Sequence, residues 1–191
     1  MSSLRLLTLL AAILLAGCAG LSPTSPPERT QLQEFVVEGR FALRVNKPGE
    51  TPQSAGGRLI WTHLQRGNRI LLSSPLGYGL AEIETGPEGS YLRTADGKTR
   101  ESHDPDELIE TVTGQRLPVA RLSGWLLGQA DNPSWIERTP SGQTTRLREA
   151  GWQIDYTYPD ETAGALPDKL TLTRDGEIEL RLRIETWKAL P

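Results

Sequence analysis

Apolar and polar residues alternate with a period of two along most of the chain, a pattern typical of β-strands that bury one face. Short turn signals such as Arg66-Gly67-Asn68 and Asp96-Gly97 separate the alternating segments. We therefore predict roughly ten strands in an antiparallel meander, because close spacing leaves no room for parallel crossovers. The segments that carry the pattern are 37–45, 58–63, 69–73, 80–85, 91–94, 99–102, 152–158, 170–172 and 177–185.

The middle of the chain changes to a helical pattern. Asp104-Pro105-Asp106-Glu107 is typical of a helix start, because an acidic cap, an early proline and first-turn acids all favour one. Gly114 is placed to end that helix. A second short helix is predicted from Pro118 or Val119 to Leu127, closed by Gly128.

The predicted strands each bury a single face, so their sheet must pack on another layer or curl on itself. Only two short helices are available as that layer. We therefore predict a mainly β fold, a strongly curved and partly closed antiparallel barrel with the two helices lying across its mouth. An immunoglobulin-like sandwich is the competing architecture, and the central helices argue against it.

The first 17 residues have the organisation of a secretory signal peptide, with Arg5 before an apolar stretch over 6–16. Leu15-Ala16-Gly17-Cys18 matches the lipobox of bacterial lipoproteins, in which the cysteine thiol takes a diacylglycerol. An ordinary cleaved signal with an incidental cysteine is the alternative. Cys18 is the only cysteine, so no internal disulfide is possible and lipidation is its natural use.

These features predict three segments. Residues 1–17 are a signal peptide that is removed, 18–31 are a lipidated flexible tether rich in Ser, Thr and Pro, and 32–191 are one domain. Residue 19 is Ala rather than the Asp that resembles an inner-membrane retention signal. We therefore expect anchoring in the outer membrane, facing the periplasm.

Charge and chemistry point away from nucleic acid and from catalysis. The formal net charge is −3 and no basic stripe is visible along the chain. His63 and His103 have no partner at metal-ligand spacing, and the acids at 104–107 are explained by the helix start. No nucleophile elbow or phosphate-binding glycine loop appears. We expect a monomer that is not an enzyme, with no metal and no cofactor beyond the lipid on Cys18.

The segment Ser73–Gly79 contains an apolar residue, Leu76, in the middle of a turn rich in Ser, Pro and Gly. From the pattern alone we favour Leu76 folding back onto the barrel rim. The alternative is that it projects and enters a membrane, where burial of a leucine contributes ~1.5–3 kcal/mol.

The chain has five tryptophans, an unusual supply of large apolar side chains. They are consistent with ordinary core, and equally with the walls of an incompletely filled cavity that holds a small hydrophobic ligand. Trp61 and Trp152 fall on predicted strands, Trp125 on the second helix, Trp135 in a loop and Trp187 at the end of the last strand.

Short motifs that occur in order along nearly the whole mature chain resemble the LolB family of outer-membrane lipoprotein receptors. Each motif is weak alone, and their order, spacing and lipobox are together fairly specific. They are the lipobox at Cys18, then Gly39-Arg40-Phe41-Ala42, Gly57-Arg58-Leu59-Ile60-Trp61, Ser74-Pro75-Leu76-Gly77, Thr113-Gly114-Gln115-Arg116-Leu117-Pro118, Trp125-Leu126-Leu127-Gly128, Gly151-Trp152-Gln153-Ile154, Leu166-Pro167 and Trp187.

The resemblance implies a mainly β, LolA/LolB-like fold: an unclosed antiparallel β-barrel (half-barrel) with a short helical lid and an apolar cavity. Such a protein takes the acyl chains of lipoproteins from the soluble periplasmic carrier LolA and releases them into the inner leaflet of the outer membrane. It also implies that Leu76 protrudes and supports insertion into the membrane, which reverses the preference drawn from the pattern. A structural or scaffold lipoprotein without a cavity, and a carrier of another lipid, stay open as alternatives.

Strand and helix periodicity indicates which side chains line that cavity. The expected acyl-chain set combines six strand residues with two residues under the lid. They are Phe41, Leu43, Leu59, Trp61, Leu72 and Trp152, with Leu122 and Trp125 under the lid.

Overall fold

The protein, as a computed structural model, is described for Arg29 and residues 32–190. Its helices are α1 (Pro105–Thr113) and α2 (Val119–Leu126). Its strands are β1 (Phe35–Val45), β2 (Gln53–Leu64), β3 (Gly67–Ser73), β4 (Gly79–Gly86), β5 (Gly89–Thr94), β6 (Thr99–Ser102), β7 (Trp135–Arg138), β8 (Thr144–Glu149), β9 (Trp152–Thr157), β10 (Lys169–Arg174) and β11 (Ile178–Ala189).

The predicted signal peptide and the lipidation site Cys18 lie outside the described residues, as does all of the predicted tether except Arg29. The backbone N–H of Arg29 donates to the carbonyl oxygen of Gly164 at 3.0 Å. Contacts with the domain therefore begin before the predicted boundary at residue 32.

All eleven described strands form one antiparallel sheet in the order β6-β5-β4-β3-β2-β1-β11-β10-β9-β8-β7. The first and last strands pair at its centre, and β6 and β7 are its two edges. The sheet is therefore unclosed within the described part of the chain. The predicted mainly β, half-barrel fold is confirmed, and the competing two-sheet sandwich is wrong.

The sheet is strongly staggered about its three long central strands, β2, β1 and β11. The arm β3–β6 pairs with the second half of β2, from Arg58 onward, whereas the arm β10–β7 pairs with β11 only from Ile178 to Arg183. The two arms overlap at a single cross-strand row, where Arg58, Arg40 and Arg183 stand opposite one another. The connection between β3 and β4 leaves the sheet beside this row.

Two glycines permit the close strand approach at this row. Gly39 lies at a register shift between β1 and β11, and a Cβ there would overlap the carbonyl oxygen of Arg183. A Cβ at Gly57 would overlap the carbonyl oxygen of Ser73, the last residue of β3. Each glycine directly precedes an arginine in one of the sequence motifs, Gly39 before Arg40 and Gly57 before Arg58. These motifs therefore encode a tight backbone contact.

The Gly57→Ala substitution is expected to lower the free energy of unfolding by roughly 1–3 kcal/mol, the usual cost of forced overpacking. The added methyl group has to push β2 away from β3 at the base of the following loop. Gly86→Ala in β4 is the matched control, because its Cβ would meet only the Arg66 carbonyl oxygen at 3.7 Å. Urea unfolding of both variants measures the difference, and equal stability of the two would contradict this reading.

Helix α1 begins and ends as the sequence predicts, and helix α2 begins as predicted but ends at Leu126, one residue before the predicted end. The Asp104 carboxylate accepts the Asp106 backbone N–H at 2.9 Å, and Gly114 closes α1 in the left-handed region at φ 69°. Helix α2 begins at Val119, and Gly128 follows it at φ 66°. No helix in the described residues has the length and apolar character needed to cross a membrane.

Three local predictions are wrong. Trp135 was expected in a loop but begins the edge strand β7, where the Arg148 guanidinium lies over its ring at 5.8 Å. Gly67 and Asn68, expected in a turn, belong to β3. Strand β8 was not predicted, because only one of its residues, Leu147, is apolar.

Candidate functional site

An apolar pocket lies between the concave face of the central strands and the two helices. Its volume is about 60 Å³. Strands β1, β2, β3 and β11 supply the floor, and the helices with their connection supply the roof. Among the residues that the structure describes, Thr113 and Arg183 are the only polar ones that line it. Such a pocket offers little to a polar ligand and suits a hydrocarbon chain.

Five of the eight predicted cavity residues line this pocket, four from the sheet and one from α2. They are Phe41, Leu59, Trp61, Leu72 and Leu122. That these side chains contact acyl chains stays a prediction.

The other three predicted residues, Leu43, Trp125 and Trp152, are buried and lie outside the pocket lining, and their contact with acyl chains stays a prediction. Leu43 is 2% exposed and pairs with Leu180 of β11, on the side of the staggered row where β10 joins the sheet. The rings of Trp125 and Trp152 pack on one another at 6.4 Å between their centroids. The pair joins α2 to β9.

Sequence reasoning missed several lining residues on β11 and on the lid. The alternation in β11 predicts correctly that Leu180, Leu182 and Ile184 share one face. It does not show that this face lies beside β1, because β1 and β11 are about as far apart in sequence as two strands of this domain can be. The missed lid residues are Ile109, Thr113, Leu117, Val119 and Leu126.

Helix α1 belongs to the β3–β6 arm. It contacts β4, β5 and β6, and the Ser102 hydroxyl donates to the Glu107 carboxylate at 2.7 Å. The Asp106 carboxylate accepts the Val119 backbone N–H at 2.9 Å and so joins α1 to α2. Burial raises the pKa of Asp106, and the bond from Val119 partly opposes that shift.

Helix α2 is held to the other arm by one buried carboxylate, Glu149, which is 3% exposed. Its oxygens accept the Trp125 indole N–H at 2.6 Å and the Asn132 backbone N–H at 2.7 Å. The Arg121 guanidinium lies 3.3 Å away. We call this group of contacts the Glu149 latch. The Tyr156 hydroxyl adds a bond to the Trp125 carbonyl at 2.8 Å, and burial raises the pKa of that phenol, so it stays a donor.

The lid therefore bridges the two arms of the sheet. Pockets that enclose small molecules usually have volumes of about 300–1,000 Å³, whereas this one measures about 60 Å³. In this structure the pocket is too small for a long hydrocarbon chain. Admission of a long chain requires the helices to move away from the floor, and the Glu149 latch opposes that movement.

The connection between β3 and β4 is a hydrogen-bonded turn that displays Leu76. The Gly77 N–H donates to the Ser74 carbonyl at 2.9 Å, and the Ser74 N–H donates to the Tyr78 carbonyl at 2.8 Å. The Ser74 hydroxyl accepts the Tyr78 N–H at 3.1 Å. Gly77 has φ 90°, a conformation that favours glycine. These bonds fix the turn from within, without support from the sheet surface.

Leu76 is 85% exposed and Tyr78 is 72% exposed at the tip of this turn. The expectation from pattern alone, that Leu76 folds back onto the rim, is wrong. That Leu76 enters a membrane stays a prediction.

The histidines and acids show no arrangement for metal binding in the described part of the chain, where no group of three or more potential ligands converges. His63 Nδ1 lies 2.8 Å from the Asn68 side-chain oxygen, and its ring lies 4.9 Å from that of Phe35. His63 is therefore accounted for by packing and one hydrogen bond.

A sheet curled around an apolar pocket, roofed by helices and bearing an exposed apolar turn, is the architecture expected of a protein that binds hydrophobic chains. The model of a family described as outer membrane lipoprotein LolB matches residues 33–187. The chain belongs to this family, LolB.

Individual LolB proteins match the sequence of this chain over nearly their whole length. The chain is 59% identical over 188 residues to the outer-membrane lipoprotein LolB of Dechloromonas aromatica, covering 98% of this chain and 99% of the relative. The LolB proteins of Azoarcus sp. and Alkalilimnicola ehrlichii are 33% and 35% identical, covering 98% and 95% of this chain and 96% and 95% of theirs.

A solved structure of a LolA superfamily protein from Nitrosomonas europaea aligns with 84% of this chain and 87% of its own. The TM-score is 0.44 and the identity is 7%. That likeness is too weak to support an argument, and the fold stands on its own strand order.

Proposed function

We propose that this protein is an outer-membrane receptor that accepts acylated lipoproteins from a LolA-type periplasmic carrier and inserts their acyl chains into the inner leaflet. The observation that carries the proposal is the combination of a lidded apolar pocket with an exposed Leu76 on one small domain. Membership of the LolB family supports it.

The driving force for transfer is the burial of hydrocarbon. Each buried CH₂ contributes ~0.8 kcal/mol, so a chain moves toward whichever site shields more of it. The sequence contains no nucleotide-binding motif. A receptor pocket that shields acyl chains better than the carrier, but less well than a bilayer, is enough to give direction without a catalytic step.

The lid links acceptance to opening. A closed pocket of about 60 Å³ keeps its apolar wall out of water between transfers. Incoming acyl chains replace the contacts of α1 and α2 with the floor, so cargo and lid compete for the same surface. The predicted lipid on Cys18 keeps this exchange beside the membrane that receives the cargo.

The test is transfer of a labelled lipoprotein from its complex with a LolA-type carrier to vesicles that contain the full-length lipidated protein. Cargo is expected to move to these vesicles and not to protein-free vesicles. Absence of transfer would overturn the proposal.

A fluorescent fatty acid separates the two alternatives. A scaffold lipoprotein without a working cavity would not bind the probe. A carrier of another lipid would bind the probe and still take no lipoprotein from the carrier.

A further inference from the structure

Four basic residues stand side by side on four adjacent strands at the row where the two arms of the sheet overlap. Arg58 of β2 is opposite Arg40 of β1, Arg40 is opposite Arg183 of β11, and Arg183 is opposite Lys169 of β10. All four are exposed. We call these four residues the basic row.

The basic row has too little negative charge around it. Like charges directly opposite one another destabilise a sheet. The Glu185 carboxylate forms ion pairs with two of the four residues, at 2.7 Å from Arg40 and 3.5 Å from Arg58. Arg183 and Lys169 form no ion pair with any residue that the structure describes. Two of the four cations in the basic row are therefore available to an external anion.

A groove of about 650 Å³ runs along the basic row. Among the described residues, five basic ones and no acidic one line it: Arg40, Arg58, Lys169, Arg181 and Arg183. Arg181 already pairs with Glu179 at 3.0 Å, and Phe41, Leu170 and Leu182 add apolar wall. Small residues, Ala42, Gly56 and Gly57, make room for it. The groove is therefore large enough for a phosphate-sized headgroup, and its walls suit a negative one.

The groove opens beside the Leu76 turn. Pro75, the residue before Leu76, lines it, and Ser73 at the end of β3 is directly opposite Arg58. One region thus presents an exposed leucine, an exposed tyrosine (Tyr78) and a row of cations. Apolar and aromatic tips beside Lys and Arg are the residue pattern of membrane interfaces.

We propose that the basic row is a docking surface for the phosphates of anionic phospholipid headgroups. It holds the sheet against the bilayer while Leu76 enters it. This inference rests on the proposed function, delivery of acyl chains to a bilayer. Guanidinium groups bind phosphate oxygens through two parallel N–H bonds, and each basic residue near an anionic surface raises the bound population roughly fivefold.

The test places a fluorophore on the turn of the full-length lipidated protein. If Cys18 is lipidated, Tyr78→Cys supplies the one free thiol and leaves Leu76 in place. An environment-sensitive dye there brightens when the turn enters a bilayer. The protein is placed in vesicles of phosphatidylcholine alone or with phosphatidylglycerol, and the ratio of docked to undocked domains is read from the fluorescence.

Phosphatidylglycerol is expected to raise that ratio, and added salt to lower it again, because salt screens exposed charges. In the Lys169→Gln/Arg183→Gln variant the ratio in anionic vesicles is expected to fall at least fivefold. The matched control is Arg93→Gln/Arg100→Gln on β5 and β6, which changes the net charge equally at a distance from the row. Thermal unfolding confirms that all variants are folded.

A ratio that is the same in the row variant as in the unsubstituted protein would overturn the proposal. The proposal would also be overturned if the row variant docked normally on lipid but no longer took lipoprotein from the carrier in any vesicle. The basic row would then bind an acidic protein surface and not a lipid headgroup. Failure of the proposed function is distinguishable, because it abolishes cargo transfer and leaves the lipid dependence of the dye signal intact.

Discussion

The Leu76→Glu substitution is expected to stop delivery of lipoproteins to the membrane while leaving their uptake from the carrier intact. Leu76 is 85% exposed and does not line the pocket, so uptake does not depend on it. Its transfer from water into a bilayer is worth ~1.5–3 kcal/mol, and each 1.4 kcal/mol is tenfold. Loss of that contribution alone therefore slows delivery by roughly 10- to 100-fold. A carboxylate at the tip opposes entry further.

The substitution does not threaten the fold, because the turn is fixed by backbone bonds of Ser74, Gly77 and Tyr78. Uptake is measured as lipoprotein co-purified with the receptor, and delivery as lipoprotein that reaches the vesicle membrane. Leu64→Glu is the control, because Leu64 is also an exposed leucine, 42% exposed, and lies at the end of the β2–β3 pairing away from the Leu76 turn. Normal delivery by the Leu76→Glu protein would show that the exposed leucine has no part in insertion.

The sequence predicts the central strands well because each of them has one clean apolar face. In β1, Val37, Leu43 and Val45 are buried as the alternation requires, and in β11 the same holds from Ile178 to Ile184. Periodicity is a local property, however. It does not show that β1 and β11 pair with each other, and this pairing decides which side chains share the pocket.

Strand β8 could not be predicted because two of its buried positions are polar. Thr144 and Glu149 face inward and are 0% and 3% exposed. Each is satisfied by a group at the end of α2: the Thr144 hydroxyl donates to the Gly128 carbonyl at 2.9 Å, and Glu149 accepts the Trp125 indole. Buried polar residues need partners, and those partners are distant in sequence. The segment therefore looks like a loop until the tertiary structure is known.

The basic row could not be predicted from the sequence either, because its residues are also distant from one another along the chain. A search for charge along the chain finds no basic stripe, because Arg40, Arg58, Lys169 and Arg183 come from four segments. Only the antiparallel register brings them into one line. The Leu76 turn was misjudged from the pattern, since an apolar residue in a polar turn has no local signal that distinguishes exposure from burial.

The Glu149→Gln substitution is expected to make the domain less stable and, at the same time, a better binder of acyl chains. Glutamine keeps the shape of Glu149 but loses the charge that attracts Arg121. Its amide nitrogen is a donor, so it cannot accept one of the two bonds that Trp125 and Asn132 donate to the carboxylate. Hydrogen bonds to a charged group contribute about 1.5–3 kcal/mol. Part of that contribution is lost, so the midpoint temperature of thermal unfolding, Tm, is expected to fall by several degrees, at about 2–4 °C per kcal/mol for a domain of this size.

The gain in binding follows from the closed pocket. When only the open state admits a chain, the apparent dissociation constant is the intrinsic one divided by the open fraction. Weakening the closed state by about 1.4 kcal/mol therefore tightens apparent binding about tenfold. A fluorescent fatty acid titrated into both proteins measures this change.

Leu172→Ala is the control that separates a loosened latch from general instability. Leu172 is 0% exposed on β10 and does not line the pocket. Its truncation costs about 2–5 kcal/mol of stability and is expected to leave affinity for the probe unchanged. Opposite shifts in stability and affinity in the Glu149 variant alone would identify Glu149 as the residue that holds the lid closed. Unchanged or weaker binding by that variant would mean that chains enter by a route that leaves α2 seated on β8.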